Sequence, residues 1–80
     1  MSHSELDLRE ATAGEVRAAR ARKQISLDVL SESCGIAKST LSAKLRGLTD
    51  FTVPELIDIA MALGVSAADL LPPAAAEDAA

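Results

Sequence analysis

Apolar residues recur along the chain at helical spacings rather than in long runs. Leu27, Leu30 and Cys34 stand at positions i, i+3 and i+7, and Leu41 and Leu45 lie four residues apart on one helix face. Glycine and proline interrupt these patterns at short intervals. The pattern predicts five helical segments joined by short turns.

Capping residues and glycines set the predicted boundaries of the second and third helices. Ser26 matches an N-cap, so the second helix is expected over residues 27–34, and Gly35 ends it. The third helix is expected over residues 38–46, with Gly47 as its C-terminal stop.

The second half of the chain has similar signals. Thr52 and Glu55 form a capping box that opens a fourth helix, which ends at Gly64. Ser66 begins a last short helix, which a pair of prolines terminates. We expect most of the large apolar residues of this half to be core rather than an exposed stripe: Phe51, Val53, Ile57, Met61 and Leu71.

The first helix has two possible starts. Thr12 and Glu15 fit a capping box, which would begin the helix there. Apolar and basic residues at helical spacing upstream favour a longer helix that begins near Glu5 and runs through Gly14. We favour the longer helix, so that residues 1–11 extend the domain at residues 12–71 and residues 72–80 form a flexible Pro- and Ala-rich tail.

Size and composition restrict the class of protein. The chain has 80 residues, 49% of them hydrophobic but with one Phe and no Tyr or Trp, which favours a single small all-α domain. The lone cysteine, Cys34, excludes an intramolecular disulfide and suits a reducing cytoplasm, and it leaves no zinc-binding spacing. The sequence shows neither a secretion signal nor a membrane-spanning run. Its carboxylates have no partner arranged for acid–base work, so we expect no enzyme, no cofactor and no small-molecule ligand.

Charge is distributed unevenly along this acidic chain. The net charge is −4, but residues 16–47 carry seven basic and two acidic side chains, a local charge of +5. Residues 48–80 contain six carboxylates and no Lys or Arg. Because contact with a polyanion depends on the field within a Debye length of about 8 Å, the basic segment matters more than the total.

The second and third helices, with the short turn between them, match the helix-turn-helix arrangement, in which the second helix of the pair enters the major groove of DNA. Apolar residues at 29 or 30, 36, 41 and 45 would lock the two helices together. The residues expected to contact duplex DNA are Lys38, Ser39, Thr40, Ser42, Ala43, Lys44 and Arg46 from the third helix, and Arg17 and Arg20 from the first. Lys44 is expected to point partly away from the groove, Thr40 could instead brace the helix start, and the arginines could form a solvated face.

These residues resemble the phage repressor and Cro type of helix-turn-helix domain, often called the XRE family. The resemblance covers residues 13–71 and rests on Arg17 and Arg20, on ISL at 25–27, on CGIAKSTLS at 34–42 and on IAMALGVS at 59–66. It implies a compact five-helix, lambda-repressor-like fold and sequence-specific binding to an operator, commonly as a homodimer. Three features depart from the pattern: Leu27 in place of a frequent Gln, Ala37 in place of a small polar cap, and Lys44-Leu45 where an apolar residue and Glu are usual.

Two functions therefore remain open from the sequence. The first is a phage- or prophage-like repressor in the cytoplasm of a bacterium or of a phage-infected host cell. The second is a protein-interaction module of the same fold, such as an antirepressor, an adaptor or an antitoxin. A dimer surface is expected first at Val65, Leu70 and Leu71, although the same residues could be core.

Overall fold

Four α-helices and one 3₁₀ helix make up the part of the chain that the structure describes, residues 5–72, with side chains from Leu8 onward. In this computed structural model, the helices are α1 (Glu5–Lys23), α2 (Leu27–Cys34), α3 (Lys38–Leu45) and α4 (Val53–Leu63), followed by the 3₁₀ helix Ala67–Leu70. The all-α, five-helix prediction is confirmed, with the fifth helix in 3₁₀ geometry. The predicted start of the chain at residues 1–4 and the predicted tail beyond Pro72 lie outside the described residues.

The first helix takes the longer of its two predicted forms. It begins at Glu5, so Thr12 lies inside the helix and does not cap it. The third helix ends at Leu45, one residue earlier than predicted, because Arg46 is already its C-cap and Gly47 has a left-handed φ of 76°. A side chain at Gly47 would also place its Cβ 3.3 Å from the Cγ of Glu10, which shows how closely α1 approaches the end of α3.

The remaining boundaries form as their capping residues predict. Ser26 accepts a hydrogen bond from the Val29 N–H, and Thr52 and Glu55 form a reciprocal capping box. Gly35 and Gly64 end α2 and α4 in the left-handed conformation, which glycine adopts without a Cβ clash.

One core holds the helices together. Val16, Leu30, Leu41, Ile59 and Leu70 are its largest fully buried side chains, and each comes from a different helix. Val65 packs against this core as well. Leu70 and Val65 therefore serve the core, the second of the two roles predicted for them, and Leu71 is partly exposed. No helix within residues 5–72 combines the length and hydropathy that crossing a bilayer requires.

Gly14 lies in the middle of α1 and offers a simple test of helix stability. A Cβ at this position would meet only the Arg17 Nη2, at an ordinary 3.6 Å, and the position does not need a positive φ. We expect Gly14→Ala to raise the free energy of unfolding by about 0.5–1 kcal/mol, because alanine lowers the backbone entropy of the unfolded chain. Thermal unfolding should show a midpoint about 2–8 °C higher. An unchanged or lower midpoint would contradict the placement of Gly14 inside α1 with room for a Cβ.

Candidate nucleic-acid interface

A tight turn holds α2 and α3 at a defined angle. The Gly35 N–H donates to the Ser31 carbonyl, and the Ser31 hydroxyl donates to the Ile36 carbonyl at 2.6 Å. Ile36 is buried between the helices, next to Leu30 from α2 and Leu41 from α3 in the same core. Leu30 rather than Val29 provides the α2 contact, because Val29 is 50% exposed. This is the helix-turn-helix geometry, with α3 in the position of the helix that enters the groove.

The outward face of α3 consists of three short side chains and one arginine. Ser39, Ser42, Ala43 and Arg46 follow an i, i+3, i+4, i+7 series, which at about 100° per residue places them in one narrow stripe. Ser39 and Arg46 are exposed, and Ser42 and Ala43 are half-buried. Lys38 and Thr40, both exposed, lie on either side of the stripe. We call Ser39, Ser42, Ala43 and Arg46 the α3 face.

Lys38 has a neighbouring carboxylate. Its ammonium lies 2.7 Å from the Asp28 carboxylate in the first turn of α2, and both side chains are well exposed. Water screens such a pair strongly, so it contributes little to stability and separates readily. The Lys38 ammonium can therefore leave Asp28 for another anion at low cost.

Lys44 lies on the opposite side of α3 from the α3 face. Its side chain is only 11% exposed, and its ammonium donates to the Glu55 carboxylate at 2.7 Å and to the Asp50 carbonyl at 2.9 Å. From the sequence, Lys44 was predicted to be a DNA contact whose side chain points partly away from the groove. The structure places it on the inward face with Leu41 and Leu45, where Glu55 and Asp50 hold its ammonium. We therefore leave Lys44 out of the proposed interface.

Two arginines meet beside the end of α3. Arg17 and Arg46 line an open cleft of about 470 Å³ together with Glu10, Ala11 and Gly47. One guanidinium nitrogen of Arg17 donates to the Leu45 carbonyl, which fastens α1 to the last turn of α3. The cleft thus has two arginines and one glutamate among its lining residues, at the C-terminal end of the α3 face, and a backbone carbonyl holds the Arg17 guanidinium in place.

Arg20 braces the turn between α1 and α2. Its Nη1 donates to the Ile25 carbonyl at 3.1 Å, next to Gln24, which has a left-handed φ of 56°. Within the described residues, its Nε is the one buried side-chain nitrogen or oxygen that lacks a hydrogen-bond partner. The Arg20 side chain is only partly exposed, so its first role is to support the turn rather than to reach outward.

The Lys44 contacts belong to a polar network that joins three helices. Asp50 accepts from the Arg9 guanidinium of α1 at 2.8 Å, and Glu55 accepts from the Thr52 N–H at 2.7 Å. The hydrogen bond from Arg9 lowers the pKa of Asp50. Burial would raise the pKa of Glu55, but hydrogen bonds from Lys44 and Thr52 outweigh it and hold that pKa below 4.5. The sequence predicted Glu55 only as part of a helix cap and not as the partner of Lys44. The one signal for their pairing was that Lys44 falls on the same helix face as Leu41 and Leu45, where a charge needs a partner.

Glu55 should make stability depend on pH in the acid range. Because its folded-state pKa is depressed, its contribution is fully present above its unfolded pKa and disappears as pH falls through the folded pKa. We expect the free energy of unfolding to fall between about pH 5 and pH 3, and Glu55→Gln to flatten part of that fall. Urea unfolding at several pH values measures the free energy of unfolding of both proteins. Equal slopes for both proteins would show that the Glu55 carboxylate does not carry this pH dependence.

An apolar stripe on α4 remains exposed. Val53, Ile57 and Met61, four residues apart, are 69%, 46% and 75% exposed. The prediction that residues of this group are mostly core is wrong for these three, and Leu71 is 39% exposed. Phe51 does pack against the core. The buried face of α4 is supplied by Leu56, Ile59, Ala60 and Leu63, which leaves the stripe to one side of it.

The described residues contain no cluster of three His, Cys, Asp or Glu side chains that could hold a metal ion. Cys34 is half-buried, and its Sγ lies 4.0 Å from the Ser31 carbonyl.

Comparison with known proteins finds the same fold in transcription regulators. A family model described as helix-turn-helix matches residues 16–70. The structure of the clp gene regulator ClgR from Corynebacterium glutamicum is similar, with 36% identity and a TM-score of 0.79, over 90% of this chain and 77% of that one. A hypothetical transcription factor, NHTF from Neisseria, shows 31% identity and a TM-score of 0.77 over 100% of this chain and 93% of its own. No curated protein matches the chain.

A third structure shares the fold at lower identity. The restriction-modification controller protein C.AhdI from Aeromonas hydrophila is 20% identical, with a TM-score of 0.75, over 86% of this chain and 100% of that one. The arrangement of α2, turn and α3 therefore recurs where little of the sequence is kept.

Proposed function

The chain belongs to the phage repressor and Cro type helix-turn-helix family and is a DNA-binding transcriptional regulator, and we propose that it is a repressor that reads a specific operator with the α3 face. It is not an enzyme. The proposal is carried by the α3 face: a narrow stripe of hydrogen-bond donors and one small side chain, on a helix whose opposite side packs into the core.

The chemistry of the α3 face suits base edges in the major groove. The hydroxyls of Ser39 and Ser42 donate and accept hydrogen bonds, so either can pair with a base edge. Ala43 lets the helix backbone approach closely and offers a methyl group to a thymine methyl. Thr40, exposed at the side of the stripe, is placed to contact the backbone or the edge of a neighbouring base.

Basic groups around the α3 face supply the phosphate contacts. Lys38 lies in the first turn of α3, where free backbone N–H groups also favour an anion. At the other end of the helix, the cleft between Arg17 and Arg46 would receive a second phosphate. Arg20 adds to the local positive potential from the turn that it braces.

A repressor acts by occupying DNA that polymerase needs, and a phage- or prophage-like regulator would do so in the cytoplasm of a bacterial or phage-infected cell. The single cysteine agrees with that reducing setting. Short side chains on the α3 face give few direct contacts per copy, so a single copy would discriminate weakly.

We propose that two copies bind together through the stripe on α4. Placed antiparallel across a two-fold axis at Ile57, Val53 of one copy would meet Met61 of the other, and the reverse pair would form by symmetry. This pairing would cover the exposed apolar groups, and its two-fold symmetry would give the pair two α3 faces, the number that a two-fold operator requires. Light scattering at rising protein concentration checks the dimer.

Selection from a random duplex library tests the function directly. We expect enrichment of a motif, and a two-fold symmetric motif if the chain binds as a dimer. A motif without symmetry would contradict the dimer and leave the reading of DNA intact. The absence of any enrichment would contradict sequence-specific binding.

The exposed stripe on α4 also supports a second candidate, a protein-interaction module such as an antirepressor, adaptor or antitoxin. Residues 48–80 carry no basic side chain, so this half of the chain would suit a partner other than DNA. Retention on a duplex DNA column at low salt separates the two: strong retention supports the regulator, and none, together with a tight protein complex, supports the module.

Binding to the selected duplex should weaken steeply with salt. About five phosphate contacts, from groups such as Lys38, Arg17 and Arg46, predict a slope near −4.5 in log K against log salt concentration. Titrations at several salt concentrations, followed by fluorescence anisotropy, give the slope. Arg46→Ala should reduce its magnitude by about one. A slope near zero would mean that phosphates contribute little and would contradict the proposed role of the basic groups.

A further inference from the structure

The inward face of α3 carries one charged side chain, Lys44, in addition to two leucines. Lys44 lies on the same side of α3 as Leu41 and Leu45, and all three are buried. Removing an ammonium from water costs free energy that only well-placed acceptors offset. Lys44 has two of them, the Glu55 carboxylate at 2.7 Å and the Asp50 carbonyl at 2.9 Å. An apolar side chain would avoid this cost, so stability alone does not account for a lysine here.

Both acceptors are themselves held in place. The Glu55 oxygen that faces Lys44 also accepts from the Thr52 N–H at 2.7 Å, as part of the cap of α4. The Asp50 carboxylate accepts two hydrogen bonds from Arg9 of α1, at 2.8 and 3.3 Å. The Lys44 ammonium is thus connected to α4 through Glu55 and to α1 through Asp50. Packed leucines resist separation, but directional hydrogen bonds also resist rotation of α3 about its axis.

We infer that Lys44 and Glu55 are positioning residues that set the rotation of α3 about its axis, and so determine how well the α3 face discriminates between DNA sequences. The inference rests on the proposed function. Base readout needs donors placed within about 0.5 Å and 10–20° of their acceptors, whereas phosphate contacts through long, flexible side chains tolerate larger displacements. Loosening the pair should therefore reduce specific binding and leave non-specific binding intact.

The test is the double variant Lys44→Met with Glu55→Gln. It removes both charges, keeps side-chain volume, retains a residue that can complete the capping box, and leaves the net charge of the chain at −4. Affinity is measured for the selected duplex and for a scrambled duplex, at a temperature where circular dichroism shows both proteins folded. We expect about tenfold weaker binding to the selected duplex and a change of less than about twofold for the scrambled one.

The outcomes separate the inference from the function on which it rests. If the unaltered chain prefers no sequence, the proposed function fails and the inference fails with it. If the unaltered chain discriminates and the folded double variant discriminates equally well, the inference alone is overturned. Should the double variant not fold, Glu55→Asp keeps the charge and the cap but shortens the reach to Lys44; an unchanged specificity ratio in that variant also overturns the inference.

Discussion

Ser39→Glu should abolish specific binding while leaving the fold intact. Ser39 is exposed in the first turn of α3, at the beginning of the α3 face. A carboxylate there would face the base acceptors and phosphates of the duplex, with nothing to donate to them. We expect affinity for the selected duplex to fall about 100-fold or more, which corresponds to about 2.7 kcal/mol.

The same substitution should not destabilise the protein. A carboxylate in the first turn of a helix interacts favourably with the helix dipole, typically by about 0.3–1 kcal/mol. Thermal unfolding should therefore show an unchanged or slightly higher midpoint. This separation of binding from stability makes Ser39→Glu a sharper test than the removal of a basic residue, which weakens binding to any DNA.

Ala68→Glu is the matched control. Ala68 is exposed on the 3₁₀ helix, outside α2, the turn and α3, and the substitution adds the same single negative charge. Fluorescence anisotropy with one labelled duplex compares the variants. If both lose affinity to the same extent, net charge rather than the α3 face governs binding, and the proposed interface is wrong.

Local signals in the sequence were sufficient for most of the fold. Capping boxes and C-terminal glycines contact residues at most about four positions away in the sequence. The helix ends at Thr52, Glu55, Gly35 and Gly64 could therefore be predicted without knowing the tertiary structure. The α3 face was predictable for a related reason. Once Leu41 and Leu45 are assigned to the core, helical periodicity determines which residues point outward.

Features that depend on long-range packing were not predictable in the same way. The pairing of Lys44 with Glu55 joins residues from two helices, and charge alone grouped Lys44 with the DNA contacts. The stripe of Val53, Ile57 and Met61 was misjudged because α4 is apolar on more than one side, and only the position of the other helices decides which side is buried. The roles of Arg17 and Arg20 depend in the same way on backbone carbonyls that the fold brings near them.

The outward and inward positions of α3 have different roles. Its outward positions lie outside the buried core, because Ser39 and Arg46 are exposed and Ser42 and Ala43 are only half-buried. Its inward positions, Leu41, Lys44 and Leu45, attach the helix to the rest of the protein. A substitution on the inward side should therefore reduce binding only through folding or through the orientation of α3.

Leu41→Ala should have the largest effect on stability. Leu41 is fully buried and packs in the common core with residues of every other helix. Removing its side chain should cost about 3–4 kcal/mol, the sum of lost apolar burial and the cavity left behind. A domain of this size has roughly 4–12 kcal/mol of stability at about 0.05–0.15 kcal/mol per residue, so the loss is a large part of the whole.

Thermal unfolding followed by circular dichroism measures the effect. We expect the midpoint to fall by about 12–30 °C, and Leu48→Ala, at a position that is 55% exposed, to change it by only a few degrees. Because Leu41 has no contact with DNA in the proposed complex, operator binding by Leu41→Ala should return on cooling to a temperature at which the variant is folded. Ser39→Glu should remain defective at every temperature. If Leu41→Ala stays defective when it is fully folded, then the inward side of α3 affects binding beyond stability, and the division between the two sides of the helix does not hold.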